Sequence, residues 1–94
     1  MVVTLKFLGS LRHTCGKDIL TVDFKKKASL MDVLDEITRD SPDLRRNILD
    51  EHLIQPTPNA LILVNGREIS VLDNLNTKIE DGDEIVFVPV VHGG

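Results

Sequence analysis

Apolar residues take every second position at the start of the chain, where Val3, Leu5 and Phe7 alternate with Thr4 and Lys6. A period of two marks a half-buried strand. Leu20, Val22 and Phe24 repeat the pattern against Thr21 and Asp23, so a second strand follows and the pair forms an opening hairpin. Residues 9–18 between them carry two glycines and mostly polar side chains and read as a long connecting loop, a place where partners are often touched. The period then changes. Leu30, Val33, Leu34 and Ile37 recur at helical spacing, with Glu36, Arg39 and Asp40 on the wet side. Ser29 and Asp32 resemble a capping box at its start, although Glu or Gln is the usual second member. Ser41-Pro42 ends this helix, because a residue before proline is pushed out of helical geometry. Asp43 is then read as the cap of a shorter helix carrying Leu44, Ile48 and Leu49, and Pro56-Thr57-Pro58-Asn59 as a linking loop.

Ala60–Val64 is the next predicted strand. Asn65-Gly66 is the strongest hairpin signal in the chain, since both turn positions need positive φ, and Arg67-Glu68-Ile69 returns as a short strand. A polar passage over residues 73–78 leads to Ile79, and Asp81-Gly82 makes the last turn. Residues 85–88 are then apolar at every position, the pattern of a strand flanked by neighbours and covered on at least one face. Pro89 has no N–H for a ladder, so pairing fades there. The order strand, strand, helix, strand, strand, strand predicts an α+β fold. One main helix covers one face of a mixed sheet of about five strands, and the C-terminal strand lies parallel to the N-terminal one. This is the β-grasp, or ubiquitin-like, arrangement. Residues 1–89 are expected to form the domain and residues 90–94 a flexible tail, which if extended reaches roughly 16–18 Å.

Composition narrows the function. A chain of 94 residues, 41% hydrophobic and 28% charged, builds one core and is not a disordered segment. No apolar run approaches the roughly 18–20 residues that span a bilayer, and Met1-Val2-Val3-Thr4-Leu5-Lys6 does not open a signal peptide. No membrane association and a cytoplasmic location are the expectation. A net charge of −4 argues against direct nucleic-acid binding, and Lys25-Lys26-Lys27 reads as a solvated strand end. The lone Cys15 excludes an intrachain disulfide framework. Arg12, His13 and Lys17 nearby could favour its thiolate, but an incidental loop cysteine is the simpler reading. His13, His52 and His92 lack metal-ligand spacing, so no metal site is expected. Asp81-Gly82-Asp83 is a turn, lacking the spaced carboxylates of a calcium loop.

Asn65-Gly66-Arg67 after an apolar strand, Asp81-Gly82-Asp83-Glu84-Ile85, then Pro89 and a closing Gly93-Gly94 together resemble the ubiquitin-like sulfur carriers. That family includes the small subunit of molybdopterin synthase, the thiamine-pathway sulfur carrier and the ubiquitin-related modifiers. The resemblance spans the chain and is most specific in its last third. Phe87-Val88-Pro89 is similar to the molybdopterin-synthase subunit, whereas Val91-His92-Gly93-Gly94 is similar to the ubiquitin-related modifier. Molybdopterin synthesis and tRNA thiolation therefore both stand as acceptor pathways.

The resemblance implies a carrier or co-substrate and not an autonomous enzyme. The C-terminal carboxylate of Gly94 is adenylated by an E1-like adenylating enzyme, which uses the ATP. A sulfurtransferase persulfide then displaces AMP and leaves a thiocarboxylate; the carrier itself binds no cofactor. Glycine suits a terminus threaded into a narrow site because it has no Cβ to clash. His92 is expected to contact the activating enzyme, with Val91 and Gly93 beside it. If Ile85, Phe87, Ile62 and Val64 face the helix, then Val86, Val88, Leu61 and Leu63 line the opposite sheet face. That face would be a docking patch for the adenylating enzyme or for the large catalytic subunit of molybdopterin synthase. Flanking loops or long Lys and Arg stems could equally cover it. Two other functions fit the same residues: a protein modifier joined through Gly94 to target-protein lysines, and a β-grasp interaction module with an inert tail.

Overall fold

The computed structural model describes residues 1–52 and 54–90. β1 (Val2–Phe7) leads into a short helix, α1 (Leu11–Cys15), and β2 (Ile19–Asp23) returns antiparallel to β1. β3 (Ala28–Ser29) precedes the main helix α2 (Leu30–Ile37), followed by α3 (Pro42–Ile48). β4 (Leu49–Asp50) and β5 (Thr57–Pro58) form a small antiparallel ladder before β6 (Ala60–Val64) and β7 (Arg67–Glu68). Two 3-10 turns, β8 (Lys78–Ile79) and β9 (Glu84–Pro89) complete the order. The main sheet runs β2-β1-β9-β6-β7, with β1 and β9 parallel and the other pairs antiparallel. This is the β-grasp topology, with the first and last strands side by side at its centre.

Alternation explains the packing. Val3, Leu5 and Phe7 of β1, Ile62 and Val64 of β6, and Ile85 and Phe87 of β9 are buried on one sheet face with Leu30, Val33 and Leu34 of α2. Phe7 and Phe87, opposed in the parallel register, stack with ring centroids 5.0 Å apart and planes 9° from parallel. The capping box at α2 is complete with Asp in place of Glu: Asp32 N–H donates to Ser29 Oγ, and Ser29 N–H donates to Asp32 Oδ2 at 3.0 Å. Asn65 (φ +51) and Gly66 (φ +80) make the β6–β7 turn. Asn65 Oδ1 also accepts from Glu84 N–H at 2.9 Å, fastening the turn to the start of β9. The 81–83 turn is a hydrogen-bond station for β1: Asp81 Oδ1 accepts from Val2 N–H at 2.6 Å, and Gly82 N–H donates to Val2 O at 2.7 Å.

Several local expectations change. The 9–18 loop contains α1, whose Leu11 is buried in the core and whose C-terminus is closed by Gly16 at φ +84. β2 begins at Ile19 and stops before Phe24, whose N–H turns to Met1 O. Ser41, not Asp43, caps α3: its Oγ accepts from Leu44 N–H, and Pro42 occupies the first turn, where its missing N–H costs nothing. The proline-rich linking loop supplies β5, and Ile69 opens a 3-10 turn instead of extending β7. Arg45 of α3 joins three elements, donating to Glu51, Asp35 and the buried Thr38 hydroxyl. Those bonds, to Glu51 first and then Asp35, raise its pKa above the ordinary arginine value.

Replacing Phe87 by alanine removes half of the central stack. The expected loss is about 3–5 kcal/mol, read by urea denaturation, a large part of the roughly 5–15 kcal/mol available to a domain of this kind.

Candidate functional site

The site is built on β9. Glu84, Val86 and Val88 alternate with the buried Ile85 and Phe87 and lie on the sheet face away from α2. The antiparallel register sets Leu63 opposite Val86 and Leu61 opposite Val88. Leu61 is 38% exposed, while Leu63, Val86 and Val88 are half-buried. The structure therefore brings these four residues together as a contiguous apolar strip on two adjacent strands. On the β1 side, Lys6 stands opposite Val86 and its ammonium bonds Glu84 Oε2 at 3.1 Å. This pair draws the Lys6 stem along β9, so the strip is bordered by an ion pair and partly shielded. Its salt-screened strength is small, since both side chains are about 40% exposed.

Sequence reasoning missed two members of this face. Ile19, opposite Lys6 on β2, is 52% exposed, and Leu8, just past β1, is 44% exposed. Ile19 was legible as the outward partner in the alternation that places Leu20 inward. Leu8 follows an inward Phe7 and was legible in the same way.

β9 ends at Pro89, which lies opposite Ala60 on β6. On its other side the chain turns from β1 into α1, where Leu8 N–H donates to Phe87 O at 3.0 Å and Gly9 lies against the proline ring. Val90 is exposed. Val91, His92, Gly93 and Gly94 lie outside the described residues. Cys15 closes α1 half-buried against the core. His13 lies on α1 and His52 in the connection after β4, and among the described residues no group of three or more His, Cys, Asp and Glu is placed to hold a metal ion. No helix among the described residues is long and apolar enough to cross a membrane. Lys25, Lys26, Lys27 and Lys78 line an open cleft of about 910 Å³. It adjoins Met1 and Phe24, at the end of the sheet opposite Pro89, and takes no part in this site.

The chain is similar to known proteins over its full length. Residues 5–94 match the ThiS family. The chain is 29% identical over 94 residues to small archaeal modifier protein 3 of Haloferax volcanii, covering all of both chains. It is 27% identical over 106 aligned positions to ubiquitin-related modifier 1 homolog 1 of Arabidopsis thaliana, again over both full lengths. The solution structure of small archaeal modifier protein 1 from Methanosarcina acetivorans superposes with a TM-score of 0.79 at 32% identity, covering 99% of this chain and 96% of that one.

The two faces of β9 predict opposite sensitivities. Val86→Ser is expected to cost about 1 kcal/mol or less, whereas Ile85→Ser, which puts a hydroxyl into the core, is expected to cost more than about 3 kcal/mol. Urea denaturation of the two variants checks the assignment, and equal losses would contradict it.

Proposed function

The chain belongs to the ThiS family of ubiquitin-like sulfur carriers, and from that premise we propose that it is a co-substrate whose Gly94 carboxylate is the reacting group. Members of this family are small ubiquitin-like carrier and modifier proteins. The observation that carries the reading is the layout of β9. One central strand bears the half-buried, outward-facing strip of Val86 and Val88 and ends at Pro89, five residues before Gly94. An enzyme that grips the strip is then within reach of the carboxylate. Gly94 lies six residue steps beyond Val88, at most about 20 Å of extended chain.

A carboxylate is a poor electrophile, so the chemistry begins with a better leaving group. In an E1-like adenylating enzyme a Gly94 oxygen attacks the α-phosphorus of ATP, and pyrophosphate departs. The outer sulfur of a sulfurtransferase persulfide then attacks the acyl carbon and AMP leaves, giving an acyl disulfide. A second partner thiol attacks the inner sulfur. The S–S electron pair leaves with the thiocarboxylate, and a disulfide forms on the partners. This chain contributes orientation: a rigid handle, an apolar strip whose burial offsets the ordering of the terminus, and glycines without Cβ. His92, Val91 and Gly93 contact the activating enzyme. The sulfur passes to an acceptor enzyme such as the large catalytic subunit of molybdopterin synthase or a tRNA-thiolating enzyme.

The full-length similarity to proteins called modifiers favours a second reading of the same group. A lysine amine of a target protein attacks the adenylate in place of sulfur, AMP leaves, and an isopeptide bond forms at Gly94. The two uses share the activation step and differ in the nucleophile.

ATP–pyrophosphate exchange with the cognate adenylating enzyme tests the activation. The full chain is expected to support exchange, and the chain lacking Gly93 and Gly94 to support none. Val86→Ser with Val88→Ser is expected to raise KM about tenfold, a docking loss near 1.4 kcal/mol, with kcat retained. Exchange by the truncated chain would overturn the reading.

A further inference from the structure

Gly9 stands where the C-terminal strand leaves the sheet, and its backbone is left-handed at φ +55. A Cβ there would lie 2.9 Å from Pro89 Cγ and 3.5 Å from Cδ. The first distance is closer than carbon atoms approach without displacement, and the neighbour is a ring with no free rotor to swing away. Cγ can shift by a change of ring pucker, but the backbones of the two residues are held. Leu8 N–H holds Phe87 O at 3.0 Å immediately before Gly9. Arg12 then holds Gly9 O with both its N–H (3.2 Å) and its Nε (3.3 Å), while Leu11 anchors α1 in the core. Pro89 is pinned from the other side by β6, where Ala60 is its register partner. Gly9 and Pro89 thus form a seat bounded by α1 on one side and β6 on the other, at the last residue of β9.

We propose that Gly9 is a positioning residue for activation of the terminus: its missing side chain lets the Pro89 ring sit down on the β1–α1 turn, and this contact sets the direction in which the chain departs toward Gly94. The inference rests on the activation reading above. A carboxylate attacking an α-phosphorus needs near-attack geometry, and small misplacements at the reacting end cost large factors in rate. The effect of crowding the seat therefore falls mainly on turnover, because the strip of Val86, Val88, Leu61 and Leu63, which supplies the docking area, is untouched.

Gly16 supplies the control. It too has a left-handed backbone, at φ +84, in the same β1–β2 connection, but a Cβ there meets nothing within 4 Å. Gly16→Ala carries the backbone strain of a left-handed alanine, on the order of 1–2 kcal/mol, without the contact. The experiment is pyrophosphate exchange with the cognate adenylating enzyme for the unaltered chain, Gly9→Ala, Gly16→Ala, and Gly9→Ala with Pro89→Ala. Each is checked by thermal melting and assayed where it is folded, and the Val90 amide is followed by 15N–1H NMR. Gly9→Ala is expected to lower kcat about ten- to a hundredfold with KM retained, and to shift the Val90 amide. Gly16→Ala is expected to leave kcat, KM and Val90 unchanged. Removing the ring in the double variant is expected to restore most of the lost kcat, a coupling between two sites in contact. Normal turnover by Gly9→Ala, an equal loss in Gly16→Ala, or no recovery in the double variant would each overturn the inference while leaving activation intact. No exchange by the unaltered chain would overturn the activation reading and this inference with it.

Discussion

The parallel pairing of β1 with β9 is the constraint on which the rest of the molecule depends. Parallel neighbours cannot be joined by a tight turn, so everything from Leu8 to Asp83 serves as their connection, with α2 laid across the sheet face that Phe7 and Phe87 share. The stack of those two rings, with Leu5 against Ile85 two pairs earlier, ties the two ends of the chain into one core. Because β9 is central, it has a strand on each side along its length, and its outward residues share a face with both neighbours. The strip at Val86 and Val88, the Lys6–Glu84 border and the exit at Pro89 all follow from that placement.

That placement also assigns separate tasks to successive residues of one strand. Inward residues hold the fold, outward residues present a surface, and the proline after them ends the pairing. The proposed carrier role draws on this order, since the rigid part and the C-terminal carboxylate would be joined by very little chain. The acid–base and nucleotide chemistry can then reside in partners, which leaves the carrier's own surface free for recognition. The basic cleft around Lys25, Lys26 and Lys27 lies beyond the far end of β1 and stands apart from this economy.

Most of the architecture was legible from period alone. Strict alternation in β1 gave both strand identity and the parity of its faces, whereas the continuous apolar runs of β6 and β9 gave strand identity alone, and burial of Ile62, Val64, Ile85 and Phe87 settled which side faces α2. The capping box at Ser29 was legible because its mechanism is local. What escaped notice was short or dependent on tertiary contacts. A five-residue helix has too few turns to display a period, so α1 was hidden in a loop with Leu11 as its single deep anchor. The β4–β5 ladder has two residues a side and includes Pro58, which no propensity argument selects. Ser41 outranked Asp43 as a cap because Pro42 fits the first helical turn better than a position before the helix. The apolar strip followed from the assumed parity of β6 and β9, and its outer members Leu8 and Ile19 were legible in the alternation of β1 and β2 but were passed over. The seat at Gly9 could not be read at all: a glycine after a strand is ordinary, and only the approach of Pro89 from the far end of the chain gives it meaning.

Intact-mass spectrometry of the protein isolated from its native host reads the state of the Gly94 carboxyl. A sulfur carrier is expected to show a population heavier by about 16 Da, sulfur replacing one oxygen of the acyl end, with the increment confined to the peptide that contains Gly94 and lost on treatment with a thiol-alkylating reagent in favour of the alkylated mass. Species joined through Gly94 to other proteins would show the same carboxyl used for conjugation. A chain recovered solely at its unmodified mass, and unchanged after incubation with ATP and host extract, would contradict the account.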